Sequence, residues 1–246
     1  MKIDLTDRRN IYFVGDLHGD WDALNFFLDE VQFSYRDAIT SVGDLIDRGP
    51  KPIEVVSFFL WTENAYAVRG NHEDMAIRGV LHGDSAQMAG WIQNGGDWMM
   101  GYPDQMLAGM LRELEKLPIA MEVQFENTRF GVTHAECPTN SWKDYFNQAG
   151  GYYPWDNKAI WGRSAIKGNS HKFIEDITYT IHGHSVRSGV TEFGNQLWID
   201  TGSVFDTGSG KYGLTILEYD KRSKHFITHR IVRDIFESSG FRHVIK

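Results

Sequence analysis

The 246-residue chain has a single cysteine, Cys137. No disulfide framework, zinc knuckle or iron–sulfur site can be built from one thiolate, and a reducing, intracellular compartment is expected. Six prolines and 25 glycines are too few for a collagen-like or low-complexity chain. No apolar run nears the roughly 20 residues that a membrane helix needs. The best, Val55-Val56-Ser57-Phe58-Phe59-Leu60-Trp61, is seven long. The charged start, 1–10, lacks a signal-peptide apolar core. A cytoplasmic protein without a membrane partner is the expectation. Positive charge is scarce as well: 25 Lys and Arg stand against 33 Asp and Glu, a net −8. No nucleic-acid partner is expected from that balance. What is present is ordinary globular composition, 41% hydrophobic and 24% charged, which rules out a wholly disordered chain. The length suits one α/β domain with insertions, 1–246.

The first third alternates between two patterns. Ile11-Tyr12-Phe13-Val14 reads as a strand ended by Gly15. Asp20 can then cap a helix carrying Leu24, Phe27, Leu28 and Val31 at helical spacing. Residues 38–42 and 65–68 read as two more strands, ended by Gly43 and Gly70. Between them, Pro52 can open a helix that buries Ile53, Val56 and Leu60. This order implies parallel βαβ units. The middle, 73–117, reads as helical. Strands follow at 119–125, 129–133, 177–181, 197–200, 213–219 and 225–232, interrupted by a helical or irregular stretch at 141–170.

Three successive strands end in glycine followed by metal-capable residues. The blocks are Gly15-Asp16-Leu17-His18-Gly19, Gly43-Asp44-Leu45-Ile46-Asp47-Arg48-Gly49-Pro50 and Gly70-Asn71-His72-Glu73. Carboxyl ends of parallel strands share one sheet edge, where ligands bind, so Asp16, His18, Asp44, Asn71 and His72 should converge. One Gly-Asp turn is unremarkable; three in succession are not. His134 and His184 repeat the pattern after later strands. The inferred set is Asp16, His18, Asp44, Asn71, His134 and His184. Its oxygen and nitrogen donors suit Mn²⁺, Fe or Zn²⁺. Six ligands exceed the needs of one catalytic ion, and two ions bridged by Asp44 explain the count.

These blocks, with His134 and Gly183-His184, resemble the calcineurin-like metallophosphoesterases. Gly-Asp-x-x-Asp-Arg-Gly with Arg-Gly-Asn-His-Glu narrows the resemblance to the phosphoprotein phosphatase branch. The spelling is similar to that of the bacteriophage lambda protein phosphatase and its bacterial relatives. Segments 67–73, 91–96, 160–163 and 195–202 add support, and the resemblance spans about 11–219, leaving 220–246 as an extension. It implies an α/β (α+β) fold, a β-sandwich flanked by helices, with a dinuclear site at the strand ends. Asp16, His18 and Asp44 would hold one metal. Asp44, Asn71, His134 and His184 would hold the other. His72 would protonate the leaving oxygen, Asp47 would orient it, and Arg48, Arg69 and Arg163 would bind or frame the phosphoryl group. The implied activity is metal-dependent hydrolysis of phosphoserine, phosphothreonine and also phosphotyrosine in phosphoproteins or phosphopeptides, by a hydroxide bridging two divalent ions, Mn²⁺ before Fe or Zn²⁺. The alternatives are a symmetrical dinucleoside tetraphosphate hydrolase and a non-catalytic metal-bound scaffold.

Other features read as structural. His182 is expected to be a strand-end packing residue, and His82, His171, His225, His229 and His243 lie outside any motif. Cys137 is followed at thiol-phosphatase spacing by Lys143 rather than Arg, so it reads as a bystander. Seven of eight methionines fall between Met75 and Met121 and read as packing of a helical region. Residues 220–246 carry seven Lys or Arg against three Asp or Glu and read as a solvated terminal strand. Sequence leaves the oligomeric state open.

Overall fold

The structure is a computed structural model that describes residues 1–150, 153–168, 173–205, 210–232 and 235–241. Its strands are β1 (Lys2–Asp4), β2 (Ile11–Val14), β3 (Ala38–Ser41), β4 (Ala65–Ala67), β5 (Ala120–Phe125), β6 (Thr128–Thr133), β7 (Tyr179–His182), β8 (Thr191–Phe193), β9 (Gln196–Trp198), β10 (Leu214–Asp220), β11 (His225–Val232) and β12 (Ile235–Phe241). The helices are α1 (Trp21–Glu30), α2 (Pro52–Trp61), α3 (Asn71–Val80), α4 (Ser85–Gln93), α5 (Asp104–Leu114), α6 (Trp142–Phe146) and α7 (Tyr153–Trp161), with 3₁₀ turns at Gly96–Gly101 and Ser203–Phe205.

The strands form two six-stranded sheets. Sheet I has the order β12-β11-β10-β2-β3-β4, and sheet II the order β1-β5-β6-β7-β9-β8. β2, β3 and β4 are parallel neighbours, as are β6, β7 and β9. The period of two along β2 explains the layering. Tyr12 and Val14 join a core with Leu24, Phe27, Val55 and Ile77 beneath the helices. Ile11 and Phe13 join the core shared with sheet II, among Val123, Phe130, Ile181 and Leu197. A strand covered on both faces must be apolar throughout, which is why 11–14 shows no alternation.

The Asp20 carboxylate caps α1 by accepting from the Ala23 N–H, and Pro52 opens α2. The buried stripe of α2 is Val55, Val56 and Phe59; Ile53 and Leu60, expected inside, are half-buried. The helix is apolar nearly all round, so spacing alone did not select its inner face. The 220–246 segment departs from a merely solvated strand: β11 pairs with β10 over seven residues and buries Phe226 and Ile231.

Candidate metal centre

Six strand ends meet in one place. In sheet I, β2 leads to Asp16 and His18, β3 to Asp44, Asp47 and Arg48, and β4 to Asn71 and His72 at the start of α3. In sheet II, β6 leads to His134, β7 to His184 and β9 to Asp200. The turns are tight enough to force left-handed backbone on side-chain-bearing residues: φ is 48° at His18, 51° at Asp44, 76° at Asp47, 67° at Arg48 and 66° at His184. Such conformations cost of order 1–3 kcal/mol each and mark sites where surrounding structure over-determines the chain.

Asp44 is the centre. Its Oδ1 accepts the His72 backbone N–H (3.0 Å) at the N-terminus of α3, where a helix favours an anion. Its Oδ2 faces the Nε2 atoms of His134 (3.3 Å), His18 (3.8 Å) and His72 (3.9 Å). Two ligand-capable groups share it: His18, Asp44 and His72, and Asp44, His134 and His184. Buried Asp16 is held beside them by the His184 N–H, 3.0 Å from Oδ2. A Cβ at Gly183 would lie 1.9 Å from Asp16 Oδ1, so only glycine permits this approach. Asn71 Oδ1 stands 2.9 Å from His134 Nε2 and 2.8 Å from His184 Nδ1.

Hydrogen bonding assigns the ring protons. A carbonyl only accepts, so His18 donates Nδ1–H to Ile46 O (3.0 Å) and His134 donates Nδ1–H to Val42 O (2.8 Å). Both Nε2 atoms then face inward, as carbonyl partners on Nδ1 arrange for metal-ligating histidines. His134 Nε2, Asn71 Oδ1 and Asp44 Oδ2 therefore crowd around a place for a cation or a proton; burial lowers the His134 pKa, but Asp44 outweighs this and raises it. The carboxylates point the same way. Burial, then Asp200 and Asp44, raises Asp16 well above its usual range. Burial would raise Asp44 too, but His134, His72 and His18 hold it well below. Burial pushes Asp200 up to about 6 and, with Asp44, Glu73 up to about 7. Burial also lowers His18 and His184 to about 3, leaving neutral imidazoles fit to ligate. The donor set fits divalent cations.

His72 differs from the other rings. Its Nδ1 is 2.6 Å from Asp47 Oδ2. Burial lowers its pKa, but Asp44 and Asp47 outweigh this and raise it. Exposed Arg48 sets Nη1 2.6 Å from His18 Nε2 and Nη2 3.0 Å from His72 Nε2. Arg163, also exposed, donates to Ser185 Oγ (3.1 Å) beside His184. Trp161 packs 5.9 Å from the His184 ring and Phe205 lies 5.3 Å from the Arg48 guanidinium, giving the rim an exposed aromatic on each side.

Arg69 is not brought here. Its Nη2 donates to the Glu115 carbonyl and its Nη1 faces Asp74 at 3.8 Å. A guanidinium satisfies carbonyls at a helix C-terminus well, and the end of α5 takes this one. It lines a separate cavity of about 600 Å³ with Asp74, Arg78 and Pro118. His182 bonds Thr133 and Thr180 and packs on Trp198, away from the cluster. His82 pairs with Glu115 and His229 with Glu218; His171 and His243 lie outside the described residues.

Some contributors carried no role in the sequence reading. Glu73 accepts the N–H groups of Gly70, Asp44, Leu45 and Ile46, tying two loops together. Trp91 and Trp98 both donate to Asp47. For Glu73 and Trp91 the signal was present only as motif spelling, in Asn-His-Glu and in segment 91–96; Trp98 lies outside both.

The calcineurin-like phosphoesterase family matches residues 9–188. The chain belongs to that family. It is 30% identical over 211 residues to serine/threonine-protein phosphatase 2 of Escherichia coli (strain K12), covering 82% of this chain and 91% of the relative. A symmetrical bis(5'-nucleosyl)-tetraphosphatase of Coxiella burnetii is 40% identical, but over 73 residues, 29% of this chain and 25% of the relative. A solved structure described, provisionally, as a diadenosine tetraphosphatase superposes with a TM-score of 0.67 at 20% identity, covering 95% of this chain and 98% of its own. At that identity it bears on the fold alone.

Proposed function

We propose that residues 1–246 act as one metallophosphoesterase domain that removes phosphate from phosphoserine and phosphothreonine in proteins, and from phosphotyrosine as well. The observation that carries this reading is the Asp44-centred cluster with His72, Asp47 and Arg48 at its edge, in a chain whose likeness to a serine/threonine-protein phosphatase covers 82% of its length. The likeness to a tetraphosphatase covers only a local stretch. An inert scaffold would have no need of the acid and the guanidinium.

Asp16, His18 and Asp44 would hold one divalent ion, and Asp44, Asn71, His134 and His184 a second, Mn²⁺ before Fe or Zn²⁺. Such ions supply charge neutralisation and a nucleophilic water at neutral pH. The rest falls to the chain. Arg48 and Arg163 clamp phosphoryl oxygens with planar, charge-assisted donors. His72, its Nδ1–H held by Asp47, turns Nε2 toward the leaving oxygen and delivers a proton to it. A cytoplasmic setting and phosphoproteins as partners follow from this reading.

The test is a substrate panel on the Mn²⁺-loaded chain: a phosphoserine peptide, a phosphotyrosine peptide, 4-nitrophenyl phosphate and a dinucleoside tetraphosphate. Activity should favour the monoesters, vanish on chelation and return with Mn²⁺. Preference for the tetraphosphate, or full turnover with metal content verified as nil, overturns the reading. His72→Asn should lower kcat on phosphoserine by about 10²–10⁴-fold and much less on nitrophenyl phosphate, whose leaving group needs no proton.

A further inference from the structure

Asp47 is fully buried and accepts three N–H donors at once: His72 Nδ1 (2.6 Å), Trp91 Nε1 (2.8 Å to Oδ1, 2.9 Å to Oδ2) and Trp98 Nε1 (2.7 Å). An indole N–H only donates. Neither tryptophan can exchange roles with the carboxylate, and any rotation of Asp47 strands an indole proton in a dry site. The same segment grips the next residue. Arg48 N–H donates to Gly95 O (3.3 Å), and Gly95, at φ 102°, sits where a Cβ would lie 2.9 Å from Arg48 N. Asp47 and Arg48 are consecutive left-handed residues, φ 76° and 67°. A strained pair of this kind persists only where neighbours hold it. Here the neighbours come from the end of α4 and the turn after it.

We propose that Trp91 and Trp98 are positioning residues for the proton delivery by His72. They fix the Asp47 carboxylate so that it takes His72 Nδ1–H in one orientation and leaves Nε2 aimed at the leaving oxygen. The proposal rests on the acid role of His72. The segment 85–98 is then part of the catalytic apparatus, acting through two indole protons.

Trp98→Phe is the informative variant, because Trp98 is half-buried and phenylalanine keeps a ring while removing the N–H. On the Mn²⁺-loaded full chain, kcat for a phosphoserine peptide should fall about 10-fold, the scale of a lost outer-shell partner, with KM little changed. On 4-nitrophenyl phosphate kcat should hardly move. In a His72→Asn background the same substitution should cost nothing further on phosphoserine. Trp91→Phe should repeat the pattern, with metal content and thermal unfolding measured alongside. An unchanged ratio between the two substrates, or an equal loss in the His72→Asn background, overturns the proposal. Should His72→Asn itself slow both substrates equally, the acid role fails and takes the proposal with it. A leaving-group effect in His72→Asn that is absent in Trp98→Phe sinks the proposal alone.

Discussion

In sheet I, three adjacent parallel strands end in contiguous blocks that deliver Asp16, His18, Asp44, Asp47, Arg48, Asn71 and His72. In sheet II, β6 and β7 deliver one histidine each, His134 and His184, with no block around them. The reason is local. The sheet I ends must turn sharply into helices or loops while presenting several polar groups, so glycines and left-handed residues cluster there. Sheet II places single side chains, the two imidazoles and Asp200 after β9. Yet its backbone does more than its side chains suggest: the His184 N–H groups with the Asp16 carboxylate, and the Val42 carbonyl of the sheet I side fixes the His134 ring. Each sheet orients a ligand of the other.

The largest expected effect comes from the residue that both halves share. Asp44→Asn removes charge from the two ligand groups together and replaces the carboxylate they share with a neutral amide. Both ions should be lost, and activity should fall further than the roughly 10–100-fold that follows loss of an outer-shell partner. Elemental analysis finding two ions per chain in the folded variant would show that the halves do not depend on Asp44.

Next comes the cross-sheet contact. Gly183→Ala places a methyl within 1.9 Å of Asp16 Oδ1 and should displace that carboxylate. A change in sheet II would then cost about 10–100-fold in activity by emptying the site on the sheet I side, while His134 and Asn71 keep theirs. If the variant folds and retains both ions with normal turnover, the two sheets are independent suppliers.

This asymmetry also decides what was legible in the sequence. The three blocks announced themselves because in each a glycine lies beside carboxylate, amide or imidazole groups, and Pro52 and Asp20 marked helix starts by their own chemistry. Strand positions from 119 to 232 came within a few residues, since buried β-type runs are distinctive. β1, β8 and β12 escaped notice: two are three residues long, and β12 lies at a sheet edge. Arg69 misled because a motif fixes neighbours along the chain, whereas its guanidinium follows carbonyls at the end of α5 that only the fold brings near. The indole donors to Asp47 were hidden for the same reason, lying 44 and 51 residues downstream.

A smaller effect is expected at His182, which tests whether every histidine at the end of β7 serves the cluster. Its ring bonds Thr133 and Thr180 and packs on Trp198. His182→Phe keeps the packing and leaves the two hydroxyls short of a partner. Stability should drop by about 1–3 kcal/mol in urea unfolding, with both ions and kcat retained. Loss of an ion would make His182 part of the centre.

The smallest effect on catalysis is expected at Cys137, three residues beyond His134 and the one thiol in the chain. If the nucleophile were this sulfur, sheet II would carry the chemistry and sheet I would serve it, reversing the division described above. The thiol is buried, and burial pushes it from 9.0 up to about 12, so at neutral pH almost no thiolate exists to attack phosphorus. Cys137→Ser should leave kcat and KM unchanged on phosphoserine. It should, however, change how stability responds to base. In the unfolded chain the thiol ionises near pH 9, while the folded protein keeps it neutral until about 12. Stability that is fully present below pH 9 is therefore lost as pH rises across 9–12, because the unfolded state releases the proton first. Buried Tyr179, raised to about 12, adds a fall of the same sign in both proteins, so the difference between them isolates the thiol. Urea midpoints taken from pH 8 to pH 11 should decline less steeply in Cys137→Ser than in the wild type. Identical slopes would mean that the thiol meets water in the folded state, and lost activity in a folded, metal-replete variant would return the nucleophile to sheet II.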